Sequence, residues 1–271
     1  MNERPELGRA IARYRYAPPR AALAGTAGEK LGRSLGSSVD FADFRDYVPG
    51  DDPRRLDWRA FARTDRLQTR LYREEIAPTL EILVDGSASM ATTPEKEQAA
   101  RDLVQAFAAW APIAGARARR LYLGGGDLSP DAAPEFQGAA VPLEPPRLPL
   151  RPRALRVVVS DFLVPEDPAP FLRRIAAGGA ELAVVQLLDP WEASPATDGA
   201  LQLIDVETGR RRDLRLTKTA LRSYAERLGR LRAAVEAGAR AVGGRYAFVV
   251  AAPPEAMCAG PLLGAGITEP R

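Results

Sequence analysis

Beyond about residue 79, short unbroken apolar runs alternate with stretches in which apolar residues return every three or four positions. The unbroken runs lie within 80–85, 155–162 and 181–189, with less pure ones at 117–123 and 245–251. A run with no polar face suits a strand covered on both sides, as in a parallel sheet. Between the runs, Leu103, Phe107 and Trp110 keep helical spacing after Pro94-Glu95-Lys96-Glu97, a helix start with acids in its first turn. A short helix is predicted over 168–177. The longest is predicted over 217–242, where Leu221, Tyr224, Leu228, Leu231, Val235, Ala239 and Val242 form one stripe that would pack on a sheet. LQLIDVETGRRRDLRL (201–216) reads as a hairpin turning at Thr208-Gly209. Residues 124–154 hold seven prolines and exclude a long helix. Strand–helix alternation of this kind predicts an α/β fold with a doubly wound, mostly parallel sheet.

Before residue 79 the pattern differs. A helix over about 5–15 is followed by an irregular stretch rich in arginine, aspartate and aromatic residues. Pro49-Gly50-Asp51-Asp52 is a turn signal. Leu67, Thr69 and Leu71 alternate with polar residues and predict a strand. Residues 1–78 are therefore expected as an irregular N-terminal extension packed on a main domain at 79–271. Asp51-Asp52 and Asp57-Trp58 read as turn and hydrogen-bonding groups that pin the extension, rather than as a partner surface.

Composition then removes function classes. The 271 residues include no histidine and one cysteine, Cys258. Serine–histidine and cysteine–histidine catalysis, histidine zinc sites, thiolate clusters and intrachain disulfides are excluded. Cys258 beside Met257 reads as a small buried apolar residue in a reducing compartment. The net charge of +3 does not by itself argue for nucleic acid. The N-terminus lacks an apolar leader segment, and the most apolar run, Leu103 to Ala116, falls short of the roughly 20 residues a bilayer requires. No membrane span and a cytoplasmic location are expected.

One short stretch carries chemistry. In EILVDGSASM (81–90), an apolar strand runs into Asp85, Ser87 and Ser89, three oxygen side chains on alternate positions. A second strand ends in Ser160-Asp161. Open α/β sheets collect ligands at the carboxyl ends of their strands. Carboxylates and hydroxyls meeting there are hard oxygen ligands that suit Mg²⁺ or Mn²⁺. A serine-rich turn that merely satisfies helix amides is the simpler reading. The position after a buried strand, with a second strand ending in serine and aspartate, favours the ligand reading. No organic cofactor is indicated.

The DxSxS loop and the distant strand-end aspartate resemble the von Willebrand factor A fold and its metal-ion-dependent adhesion site. The chain resembles more closely the bacterial family of unknown function DUF58. Val39-Asp40-Phe41, Phe44-Arg45-Asp46-Tyr47, Pro49-Gly50-Asp51-Asp52, Arg55-Leu56-Asp57-Trp58, Ala62-Arg63-Thr64 and Glu74-Glu75 match its signature and lead into DGSASM. The resemblance spans about 30–271 and implies a von Willebrand factor A-like domain. It also implies that Ser87 and Ser89 would ligate a metal directly, with Asp85 and Asp161 acting mostly through waters. The pattern further requires a threonine from a third loop, and none lies between Thr93 and Thr197. Asp127 or Ser129 are the substitutes at hand; without one the site is degenerate. The resemblance implies a non-enzymatic protein-binding module that partners a MoxR-type AAA+ ATPase in assembly or maturation of other proteins. Two alternatives stand beside it. One is a metal-dependent phosphohydrolase with Asp85 as nucleophile, although the second aspartate of the usual DxDx pair is replaced by Ser87. The other is nucleic-acid binding through Arg151, Arg153 and Arg156 or Arg210-Arg211-Arg212.

Overall fold

The computed structural model describes residues 4–17, 40–49, 56–73, 78–123, 127–128, 136, 149–164, 166–195, 199–206 and 209–271, with backbone alone at 40–45, 70–73 and 127–128. The chain divides into two compact units, Gly28–Ala77 and the remainder. Helix α1 (Pro5–Arg13) starts on Pro5 and buries Leu7 and Ala10 within the larger unit. Strand β1 (Tyr14–Tyr16) continues directly from it.

The smaller unit contains β2 (Asp40–Asp46) and β3 (Gln68–Arg73), paired antiparallel with a bulge between Phe41 and Asp43. The alternation at 67–71 marked the second of these strands. Between them lies α2 (Trp58–Thr64), which has too few turns to show a hydrophobic period. Asp57 caps it, one carboxylate oxygen accepting the amides of Arg59 and Ala60, both at 3.0 Å. Gly50, Asp51 and Asp52 of the expected turn lie outside the described residues.

The larger unit is built on β4 (Thr79–Asp85), β5 (Arg117–Leu123), β6 (Asp127–Leu128), β7 (Leu155–Ser160), β8 (Glu181–Leu188) and β11 (Arg245–Val250). Their order across the sheet is β11-β8-β7-β4-β5-β6. All neighbours run parallel except the short edge strand β6. This is the mostly parallel α/β sheet that the alternation predicts. Leu80, Ile82 and Val84 of β4 join Leu103, Phe107 and Trp110 of α3 (Pro94–Trp110) in one core. Leu83 faces the opposite way, into a second core with Phe171, Leu172 and Ile175 of α4 (Pro168–Ala176) and Val235 of α6 (Lys218–Ala241). A sheet with a core on each face explains why its strands are apolar at successive positions.

The connection leaving β4 runs through α3 on one face, and the connection leaving β7 runs through α4 on the other. The chain therefore diverges between the carboxyl ends of β4 and β7, which lie side by side. Such a switch point opens a crevice.

Further elements are α5 (Pro190–Ala193), the antiparallel pair β9 (Gly199–Ile204) and β10 (Arg211–Leu216), α7 (Pro254–Met257) and β12 (Thr268–Pro270), which pairs with β1. The hairpin forms as expected; Thr208 lies outside the described residues, and Gly209 has the positive φ of 67° that its turn needs. In α6, Leu228, Val235 and Ala239 are buried, while Leu221 and Tyr224 remain half-buried. Cys258 is buried as expected, and burial pushes its thiol up to about 12, so it stays protonated.

One sequence reading is overturned. Arg156 is not part of a surface arginine cluster. It lies 1% exposed under the sheet, where its guanidinium donates to Glu81 Oε2 at 3.1 Å and to the carbonyls of Ile175, Ala177 and Arg151. Its position inside an apolar strand, with Glu81 on the adjacent strand, makes it an internal cross-link. No helix among the described residues is long and apolar enough to cross a membrane.

Candidate functional site

β4 delivers Asp85 to the mouth of the crevice, and β7 delivers Ser160 and Asp161 beside it. Asp85 Oδ1 accepts the Ser87 amide at 2.9 Å, which folds the chain back after the strand. Asp85 Oδ2 accepts the Ser160 hydroxyl at 2.5 Å. Gly86 permits the tight exit: a Cβ there would lie 2.3 Å from Tyr122 Cδ1. Ser87 begins a 3₁₀ turn over Ala88–Ala91, and its hydroxyl lies 2.8 Å from that of Ser89. Burial, followed by the nearby charge of Asp161, pushes the Asp85 carboxyl above the usual carboxylate range; the Ser160 and Ser87 hydrogen bonds oppose this. The two acids predicted from separate strands therefore share one electrostatic environment.

Behind β7 the chain is strained. Phe162 has φ 55°, a left-handed conformation rare for a bulky side chain. Ser160 Oγ accepts the Phe162 amide and Asp161 Oδ1 accepts the Leu163 amide, both at 3.0 Å. The Phe162 ring packs edge-on against Phe171 with centroids 6.3 Å apart. These contacts hold the turn and fix the direction of the Asp161 carboxylate.

The centre of the crevice is occupied by a residue that sequence reasoning passed over. Lys96, in the first turn of α3, is 0% exposed. Its ammonium donates to the Ser89 carbonyl at 2.9 Å, to Asp161 Oδ2 at 2.9 Å and to Glu192 Oε1 at 3.0 Å. Glu192 Oε2 lies 2.8 Å away as well. Three other residues were missed. Thr93 caps α3, accepting the Lys96 amide at 3.2 Å, and donates its hydroxyl to Asp189 Oδ2 at 2.6 Å. Asp189 and Glu192 form a capping box on α5 at the end of β8. The capping box was legible as Asp-x-x-Glu after an apolar run. Lys96 carried a fainter signal, a cation in a helix's first turn, where the dipole favours anions.

The donor set does not fit a divalent cation. Mg²⁺ demands near-octahedral oxygen coordination at short range. The carboxylate oxygens of Asp85 and Asp161 are turned towards protein donors, Asp161 Oδ2 towards the Lys96 ammonium itself, and the Ser87 and Ser89 hydroxyls bond to each other. An ammonium sits 2.9 Å from Asp161, and its like charge opposes a second cation. Ser129 lies outside the described residues, and of Asp127 only the backbone is described, in β6 against Leu121.

The DUF58 profile, described as a protein of unknown function, matches residues 43–120 and 127–234. The chain belongs to the DUF58 family. Uncharacterized proteins of Mycobacterium tuberculosis and Mycobacterium bovis are each 31% identical to it over 211 residues, covering 67% of this chain and 65% of theirs. The chain thus spans 65% of the length of these curated relatives. Among solved structures, an aerotolerance-related membrane protein from Bacteroides fragilis carrying multiple mutations to serines aligns with a TM-score of 0.32 and 15% identity, over 66% of this chain and 94% of that one. The conserved hypothetical protein BatB from Bacteroides thetaiotaomicron aligns with a TM-score of 0.30 and 14% identity, over 65% and 91%. At such scores neither likeness bears on what this DUF58 protein does.

Proposed function

We propose that this DUF58 chain is a non-enzymatic protein-binding module of the cytoplasm, an adaptor or partner of a MoxR-type AAA+ ATPase in the assembly or maturation of other proteins. The partner class comes from the resemblance to DUF58 signatures. The observation that supports a binding role over catalysis is that Asp85 is buried and held inward by its hydrogen-bond donors. Asp85, the one candidate nucleophile, has both oxygens bonded to donors that orient it inward. A carboxylate nucleophile must be ionised and open to substrate. Asp85 is buried, and its raised pKa disfavours the ionised form. The rim has the character of a contact surface. Leu163 and Trp191 stand 41% and 40% exposed, each two residues beyond a strand-end aspartate, Asp161 and Asp189. Large apolar side chains around a polar centre suit protein recognition.

The test is co-purification with, and calorimetric titration by, a MoxR-type ATPase from the same organism, beside a phosphatase assay with p-nitrophenyl phosphate and Mg²⁺ or Mn²⁺. Expected are saturable ATPase binding, weakened at least tenfold by Trp191→Ala together with Leu163→Ala, and no turnover. Turnover that is lost in Asp85→Asn would replace this reading with the phosphohydrolase one.

A further inference from the structure

We propose that Lys96 is the resident cation of the crevice, taking by a tethered ammonium the place that a divalent metal would hold between the strand ends. The claim concerns this chain alone and stands or falls independently of any partner. The position of Lys96 is unfavourable on every local ground. An ammonium fully removed from water loses its hydration. The first turn of α3 presents the positive end of the helix dipole, which disfavours a cation. Something must offset both costs, and the crevice supplies it. The ammonium has three N–H groups and meets three acceptor groups, the Ser89 carbonyl, the Asp161 carboxylate and the Glu192 carboxylate.

Those acceptors come from three different places in the sheet. Ser89 belongs to the loop after β4, Asp161 follows β7, and Glu192 lies in α5, which follows β8. Lys96 therefore ties together three strand ends that are neighbours in the sheet, as a single metal ion would. It does so with no open coordination position, because each of its donors is used. A carboxylate from a partner could not complete this centre as it completes a metal site. Recognition at this face would instead proceed without divalent cations.

The experiment uses the full chain, stripped with EDTA and melted alone, with Mg²⁺ and with Mn²⁺, beside calorimetric titration of both ions. The wild-type melting temperature is expected to be unchanged by either ion or by EDTA, with no measurable binding heat below millimolar concentration. Lys96→Ala is expected to melt about 10 °C lower or more, and Mn²⁺ or n-propylammonium is expected to raise its melting temperature saturably. Metal binding by the wild type that Ser87→Ala abolishes would overturn the proposal, and this arm decides even where Lys96→Ala fails to fold. A Lys96→Ala protein as stable as wild type, or one that neither cation restores, would overturn it too.

Discussion

Asp85 shows how one residue can serve a fold at an electrostatic cost. Its carboxylate turns the chain after β4 and ties β4 to β7, yet burial and the charge of Asp161 hold its pKa above the usual range. The folded state therefore binds this proton more tightly than the unfolded state does. Stability contributed here is greatest below the unfolded carboxylate pKa of ~3.9 and declines as pH rises from there to the raised value. Asp85→Asn removes that decline while keeping an acceptor for the Ser87 amide. Urea melts at a series of pH values between about 4 and 7 are expected to show wild type losing stability relative to Asp85→Asn as pH rises. A constant difference across the series would contradict this origin for the shift. At the next residue, Gly86→Ala places a methyl within 2.5 Å of two Tyr122 ring carbons. Overpacking of this kind costs about 1–3 kcal/mol, measurable as a lower urea midpoint. A midpoint equal to wild type would mean that Tyr122 swings aside freely.

At the scale of elements, the crevice depends on helix starts as much as on strand ends. Thr93 both caps α3 and donates to Asp189, so one hydroxyl joins the start of α3 to the start of α5. Thr93→Val keeps the shape and removes both bonds. A lost cap costs about 1 kcal/mol, and loss of the hydrogen bond to a buried carboxylate adds about 1–3 kcal/mol. Thr93→Ser should recover most of this in chemical denaturation, and a Thr93→Val protein as stable as wild type beside a destabilised Thr93→Ser would show that the methyl group, not the hydroxyl, matters. The elements themselves differ in how plainly the sequence declares them. β4, β7 and β8 are visible as unbroken apolar runs because both of their faces are covered. The seven-residue α2 and four-residue α5 are too short to show a period; only the capping aspartates Asp57 and Asp189 mark them.

At the scale of the whole molecule, several charges among the described residues are paired within the fold. Arg156 and Arg119 both bond to Glu81, Arg245 pairs with Glu181, Arg4 with Asp102, and Arg101 and Arg240 with glutamates one turn earlier in their helices. With a net charge of only +3, the remaining surface arginines, including Arg211 and Arg212, should give no more than weak, non-specific attraction to a polyanion. Gel shifts with double- and single-stranded DNA are expected to show no discrete complex at physiological salt. A complex that survives this salt and is weakened by Arg211→Ala with Arg212→Ala would restore the nucleic-acid reading.

The sequence by itself determined the α/β class, the five parallel strands of the sheet, and the placing of Asp85, Ser87, Ser89 and Asp161 at strand ends. Each of these follows from local periodicity, because two-sided burial writes itself into consecutive residues. The tertiary structure alone decided what those oxygens are bonded to. Lys96 and Glu192 are 96 residues apart, and Lys96 and Asp161 are 65 apart. No local pattern records a contact at such separations. The same holds for Arg156, whose charge reads as surface in one dimension and proves buried once Glu81 lies on the neighbouring strand. Burial of a charge is settled by its partners, and parallel strands bring partners together only after the chain has crossed over through a helix.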